Sequence, residues 1–341
     1  MKHMAQIRRV ASGHPVPPGE VPVLLLSQEF DARLCGLSYE QFLASPLSVA
    51  DTLGRCVREF DYDFGWVHLH DLIEFAPLGV PVKGGGDVVP GAAGHLPAEE
   101  HTVQDLRIPP GLAEVGEMPL LLGSLRLLRD RFGDDICVTG RLCAPFSAAV
   151  FIFGMTEGMM MTLDNPALLQ RAISFFEDYA IALARLQVEA GAHALWIGDC
   201  SATTHLISPA TYRALGLEPA RRVCAAVKEM GAIAFYYPGD DSVEGLAAFS
   251  EARPDVLQVT CGADLGAVRR RLGARIPLSG NLHPVELLEQ QGPEAVAEET
   301  RRTLAGQAGL PFILSSGDSL TRDTPEQNVR AVMAAARTPR R

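Results

Sequence analysis

The chain has 341 residues, 41 acidic against 30 basic side chains and a formal net charge of −11. Apolar residues make up 47 % and charged residues 21 %, which excludes a disordered or collagen-like chain. An acidic chain without a basic run argues against nucleic acid or anionic membrane as a partner, and Arg269, Arg270 and Arg271 read as a solvated helix face.

No apolar stretch reaches the roughly 18 residues of a membrane span. Residues 148–155 are apolar but too short, and the N-terminal MKHMAQIRRV is not followed by an apolar segment of signal length. The 7 cysteines are odd in number and include no CxxC pair. They predict reduced thiols in a cytoplasmic protein.

In chain order, short apolar runs rich in β-branched residues predict strands over 21–26, 65–69, 136–142, 192–198, 232–237, 255–261, 276–281 and 311–316. Continuous apolar runs of this length suit strands buried on both faces of a parallel sheet. Helical patterns fall between them. The clearest covers 165–190, where Leu168, Leu169, Ala172, Phe176, Tyr179 and Leu183 recur near the 3.6 period behind an Asn165-Pro166 start and ahead of Gly191. Others cover 209–215, 219–230, 242–252, 265–272, 284–290, 293–308 and 325–336.

Eight strands alternating with helices predict a (β/α)8 barrel forming a single domain over the whole chain. A doubly wound open sheet is the runner-up, weakened by the lack of a Gly-rich phosphate motif after an early strand. Residues 1–20 read as an N-terminal extension. Residues 72–135, with Lys83-Gly84-Gly85-Gly86-Asp87, read as a loop, lid or insertion over the mouth.

Barrel chemistry sits at the C-terminal strand ends. There the sequence places His68, His70 and Asp71; Arg141 and Cys143; Asp199 and Cys200; Tyr236, Tyr237 and Asp240; Cys261; Asn281 and His283; and Ser316, Gly317 and Asp318. Cys261, His283 and Asp318 stand on successive strands as a weak candidate metal trio. His205 lies in a loop before the 209–215 helix, open to a role as a substrate contact or a surface residue. Met155, Met159, Met160 and Met161 favour plastic core packing over a surface for a flat ring.

Five segments in order resemble the uroporphyrinogen decarboxylase superfamily, a (β/α)8 barrel family. They are Ala144-Pro145-Phe146-Ser147; Glu189-Ala190-Gly191-Ala192 with Ile197-Gly198-Asp199; Ile207-Ser208-Pro209 with Tyr212; Gly280-Asn281-Leu282-His283-Pro284, with His283 where the family usually has Asp; and Ser316-Gly317-Asp318 running on to Asp323-Thr324-Pro325-Glu326-Gln327-Asn328. The resemblance implies one of two activities: cofactor-free decarboxylation of uroporphyrinogen, or corrinoid-dependent methyl transfer. The spacing from Asp199 to Pro209 and the N-terminal part look more like the methyltransferase branch. The decarboxylase's Arg-rich N-terminal motif is missing, and its substrate Tyr position reads Phe151.

Thiol-methylating members of that branch hold zinc with H-x-C on the fifth strand and Cys on the eighth, where zinc presents a thiolate. Here the matching positions read Tyr236-Tyr237-Pro238 and Asp318, which a soft zinc site does not suit. The resemblance with this departure implies cobalamin or another corrinoid, free or on a carrier protein, and no zinc at the family position. Asp318, Tyr236 and Asp199 are the candidate catalytic residues. Asp71, His70, His205, Asn281, His283, Phe151 and Tyr237 are the candidate substrate-binding residues for a small molecule. A decarboxylase of another carboxylate, a non-catalytic corrinoid-binding protein and a homodimer stay open.

Overall fold

The computed structural model describes residues 3–338. All eight expected strands are present: β1 Val23–Leu24, β2 Phe64–Trp66, β3 Cys137–Cys143, β4 Ala194–Gly198, β5 Ile233–Tyr237, β6 Val256–Gln258, β7 Leu278–Leu282 and β8 Phe312–Ser316. They pair in parallel, each with its neighbour in the chain from β2 to β8, and β8 then pairs with β1. The sheet curls so that β1 and β2 meet. Their join is a side chain rather than a ladder: Val23 N–H donates to Asp63 Oδ2 at 2.6 Å, beside β2. Arg337 Nη2 donates to the same oxygen at 2.8 Å, and His3 Nδ1 contacts the other. A barrel of eight parallel strands wrapped by helices is the outcome, not the open sheet.

Most strands are shorter than their apolar runs, several of them starting one or two residues later, as at Ala194, Ile233, Leu278 and Phe312, while Cys137–Cys143 keeps its expected length. The helices agree more closely. Residues 165–190 form helix Pro166–Glu189, with Asn165 Oδ1 accepting from Leu168 N–H at 3.2 Å. Pro209–Leu215 and Leu265–Leu272 have their expected bounds. The 284–290 helix is a wide-turn π-helix, Pro284–Glu289.

The N-terminal extension contains helix His3–Ala11, whose Met4, Ile7 and Val10 plug the bottom of the barrel beside Phe64, Phe235 and Ile313. Residues 72–135 hold more regular structure than a lid needs. A hairpin, exposed along Val82–Gly85 and mostly half-buried along Val88–Ala92, is followed by helix Glu100–Asp105. Helix Met118–Phe132 then packs on Pro46–Phe60 in the outer layer. Among the described residues no single helix is long and apolar enough to cross a membrane. The apolar helix Pro145–Phe153 turns by 112° into Met155–Asp164. The methionines divide there: Met161 is buried, Met159 half-buried, and Met155 and Met160 exposed.

Strand alternation decides which side chains reach the barrel axis. A stagger of one residue per strand, as in barrels of this kind, sorts them into layers along the paired registers. Trp66, Trp196, Gln258 and Ser315 form one layer. Leu26, Arg141, Tyr237 and Asn281 lie above it. His68, Gly198, Thr260 and Gly317 make the rim. The contacts agree with this order. Trp66 and Trp196 meet edge-on at 5.9 Å, Trp196 Nε1 donates to Gln258 Oε1 at 2.9 Å, and Tyr237 stacks on Trp196 at 5.0 Å.

Candidate active site

The mouth stands on this aromatic floor. On its β5–β8 side the Tyr237 hydroxyl donates to Asp318 Oδ2 at 3.2 Å, and Asp318 Oδ1 accepts from Ser319 N–H at 2.7 Å. Burial, and then the Asp318 charge, raise the Tyr237 pKa above its ordinary value, so at neutral pH the residue is a phenol with a proton to give. Asp318 is exposed, and Cys200 stands exposed on the rim.

On the β2–β3 side Arg141 lies between two carboxylates. Its Nη2 is 2.7 Å from Asp71 Oδ1, and its Nη1 is 3.1 Å from Glu74 Oε1. Glu74 is buried and also accepts from Cys143 N–H at 2.9 Å. Asp71, half open to solvent, bonds His68 Nε2 at 3.1 Å, and Gln28 Nε2 meets His68 Nδ1 at 3.0 Å. The Arg141 charge holds the Asp71 carboxyl well below the usual range. Burial outweighs the same charge at Glu74 and pushes that carboxyl up to about 7. One cation therefore divides a pair of acids into an ionised member and a member that titrates near neutrality.

Several expected positions are corrected. Tyr236 does not share a corner with Asp318. It is one residue out of phase with Tyr237, so it turns to the helix layer. There it bonds buried Asp199 and the Tyr212 hydroxyl, the latter at 3.0 Å. Asp199 accepts from Ser147 Oγ at 2.5 Å and Ser147 N–H at 3.2 Å, and has no exposed surface. Burial raises it to about 6. This set ties β4, β5 and two helices together behind the mouth.

The metal trio also fails. His283 turns its Nδ1 back to accept from Val285 N–H at 3.2 Å and Glu286 N–H at 3.1 Å, capping its own helix. Among the described residues no group of three His, Cys, Asp or Glu side chains is arranged to hold a metal. A tyrosine hydroxyl and one carboxylate do not fit a thiol-activating zinc.

Asn281 Nδ2 is committed to the Thr260 and Ala263 carbonyls at 3.0 and 2.8 Å, fixing the β6 loop. His205 is exposed and pairs with Asp241 at 3.0 Å. His70 is buried, 2.6 Å from Glu117. Phe151 packs on Phe75 at 4.4 Å. Of the expected site residues, the structure thus brings Asp71, Tyr237 and Asp318 to the polar mouth. Glu74 went unread although it follows Asp71 by three residues, the spacing of one helical turn. Trp66 and Trp196, the chain's 2 tryptophans, carry a second readable signal: both fall on predicted strands or their edges.

A Cβ at Gly317 would lie 2.4 Å from Cys261 N and 2.7 Å from its Cα, backbone atoms that cannot swing aside. Gly317→Ala is expected to cost about 1–3 kcal/mol in urea unfolding and to displace Asp318. Cys261→Ala should not relieve it, because the clash is with main chain.

Stability at this site also depends on pH. Glu74 moves from 4.5 up to about 7 on folding, and Asp199 from 3.8 up to about 6. Between those values the folded chain holds protons that the unfolded chain has released. Stability therefore falls as pH rises through this window, by up to about 1.4 kcal/mol per unit for each group. Asp71, shifted the other way, contributes above its unfolded value of 3.8 and loses that contribution only on acidification. Unfolding curves at about pH 5 and about pH 8 check the sign, and Glu74→Gln should flatten the dependence.

A parallel eight-stranded barrel with its polar groups gathered at the C-terminal strand ends has the architecture of a barrel enzyme. The chain belongs to the uroporphyrinogen decarboxylase (URO-D) family, whose model matches residues 2–339. Its relatives include both kinds of enzyme. A methylated-thiol–coenzyme M methyltransferase of Methanosarcina mazei is 28 % identical over 69 % of this chain and 63 % of its own length. The match thus spans less than two thirds of that relative. A uroporphyrinogen decarboxylase of Nocardia farcinica is 32 % identical over 72 % of both chains. A methyltransferase structure from Methanosarcina mazei superposes with a TM-score of 0.89 over 98 % of both chains at 20 % identity, which establishes the shared fold.

Proposed function

We propose that this protein transfers a methyl group between an oxygen atom of a small substrate and the cobalt of a corrinoid, without zinc and without activating a thiol. The observation that carries this reading is the Tyr237–Asp318 pair above Trp196. It supplies a proton donor for oxygen where thiol chemistry would need soft ligands. The corrinoid is the second substrate, free or on a carrier protein. Reduced cobalt is a strong nucleophile. The protein's work is to align the methyl carbon and stabilise the departing oxygen.

Tyr237 does the second part. Its O–H turns from Asp318 to the substrate oxygen as the carbon–oxygen bond breaks. An alkoxide takes the proton outright, and a phenolate is stabilised by the hydrogen bond. Asp318 then orients the hydroxyl for the next proton. In the floor and wall, Trp66 Nε1, Gln258 Nε2, Ser315 Oγ and Arg141 Nε are buried without a protein partner. Each can donate to an oxygen that enters from the mouth.

The methyltransferase among the relatives supports group transfer as the class. Decarboxylation of a polycarboxylate is disfavoured by charge. Asp71 and Glu74 already hold the terminal nitrogens of Arg141, and Asp318 adds a further carboxylate at the mouth, so an anionic substrate meets like charge there.

The test runs the transfer backward. The protein is mixed anaerobically with methylcobalamin and with a thiol, a folate or a phenol, and the visible spectrum is followed. Loss of the methyl–cobalt spectrum with phenol is expected. Loss with thiol alone overturns the reading, and a perturbed spectrum with no turnover for any acceptor favours a corrinoid-binding protein. Asp318→Ala should slow turnover at least about tenfold with corrinoid affinity kept.

A further inference from the structure

At the end of the barrel opposite the mouth lies a cavity that methyl transfer leaves unused. It has a volume of ≈ 820 Å³, a size that suits a small-molecule ligand. Phe312, at the start of β8, is out of phase with the inward-facing Ile313, so the cavity lies outside the barrel wall, among residues of helices Pro293–Gly306 and Glu326–Arg337. Val16, Val21, Leu304, Leu310, Phe312 and Ala336 make its wall apolar. The polar lining includes Arg301 and Gln307. Among the described residues none that lines it is Asp or Glu, although the chain carries 41 acidic side chains.

Gln307 is 5 % exposed and owes its orientation to Arg269. Arg270 and Arg271 face solvent as expected, but Arg269 is buried. Its Nε donates to Gln307 Oε1 at 2.8 Å, its Nη2 to the Pro311 carbonyl at 2.9 Å and its Nη1 to the Ile276 carbonyl. Burial pulls its pKa down to about 10, so it is still a cation at neutral pH. The three acceptors solvate that charge but do not neutralise it, because all three are uncharged oxygens. An arginine only donates, so it takes the amide oxygen and leaves Nε2 as the group Gln307 offers to the cavity. The same positive charge polarises that N–H toward an acceptor.

We propose that this cavity binds a small amphipathic carboxylate, its aliphatic chain against Leu304, Leu310 and Phe312 and its carboxylate accepting from Gln307 Nε2. A carboxylate leaves water only where a donor and a cation receive it. Gln307 supplies the donor, Arg269 behind it supplies the cation, and Arg301 carries a further positive charge on the wall. The ligand in turn brings the negative charge that the surroundings of Arg269 lack. A neutral apolar ligand fills the same wall but gives the Gln307 N–H no charged acceptor. A ligand held between β8 and two helices binds the folded chain alone and raises its stability. This inference does not depend on methyl transfer.

The test titrates the whole chain with octanoate and with octanol, read by calorimetry and by melting temperature. Octanoate is expected to bind one to one and at least about tenfold more tightly than octanol, the worth of a hydrogen bond to a charged group. Decanoate should bind about tenfold more tightly again, from two more buried methylenes. Gln307→Glu keeps an acceptor for Arg269 but puts a carboxylate where the ligand's would sit, so it should lose octanoate and keep octanol. Leu304→Trp fills the cavity and should lose both. A melting curve matching the parent without ligand shows that each variant is folded. The proposal is overturned if octanoate does not bind, or if either variant binds it as the parent does. It is also overturned if sedimentation shows a dimer that Leu304→Trp dissociates, because a second copy then covers the cavity.

Discussion

Tyr237→Phe is expected to lower the rate of methyl transfer by about 10²–10³-fold, within the range of a lost general acid, while leaving the corrinoid spectral change intact. The substitution removes one hydroxyl and keeps the ring, so the 5.0 Å stack on Trp196 survives. What disappears is the donor facing Asp318. The loss should depend on the leaving group. An alkoxide needs the proton and should suffer most. A phenolate bearing electron-withdrawing substituents leaves unaided and should be nearly indifferent. Plotting log rate against leaving-group pKa for the parent and Tyr237→Phe checks this: a steeper dependence in the variant is the signature of a missing acid. Parallel lines would show that Tyr237 only packs. Tyr236→Phe makes the control. That hydroxyl lies in the helix layer with Asp199 and Tyr212, so its loss should reduce stability rather than alter the slope.

The contrast between neighbouring tyrosines shows where sequence reading stops. Apolar runs report that a strand is buried on both faces, and all eight strands were legible for that reason. The same property hides phase. When both faces of a strand are apolar, nothing in the pattern says which residue points to the axis, and Tyr236 and Tyr237 look alike. Phase came from the register, through Phe235 and Tyr237 beside Trp196. Asp199 illustrates a second limit. Its place at a strand end was readable, but its burial under Ser147 depends on a helix 52 residues earlier in the chain. His283 illustrates a third: its Nδ1 is spent on capping a helix, a local use that competes with any ligand. Glu74 was hidden because its partner Arg141 is 67 residues away.

Arg141→Met should be the most destabilising single change at the mouth, costing about 3–5 kcal/mol above neutral pH, the penalty of leaving a buried carboxylate without its cation. The two acids it serves are not equivalent. Glu74 is 4 % exposed, whereas half of the Asp71 side chain faces water. Solvent can replace the arginine at Asp71 but not at Glu74. Adding Glu74→Gln to Arg141→Met should therefore restore more than half of the loss, and adding Asp71→Asn should restore little. Acid should rescue the single variant as well. Glu74 already titrates near 7 with Arg141 present, and without the cation its pKa rises further, so protonation neutralises the orphan charge at milder acidity. Urea unfolding of the three variants at about pH 5.5 and about pH 8 separates these terms. Equal rescue by Asp71→Asn and Glu74→Gln would place the cost at the exposed ion pair instead. Burial would then not be what decides which carboxylate needs the arginine.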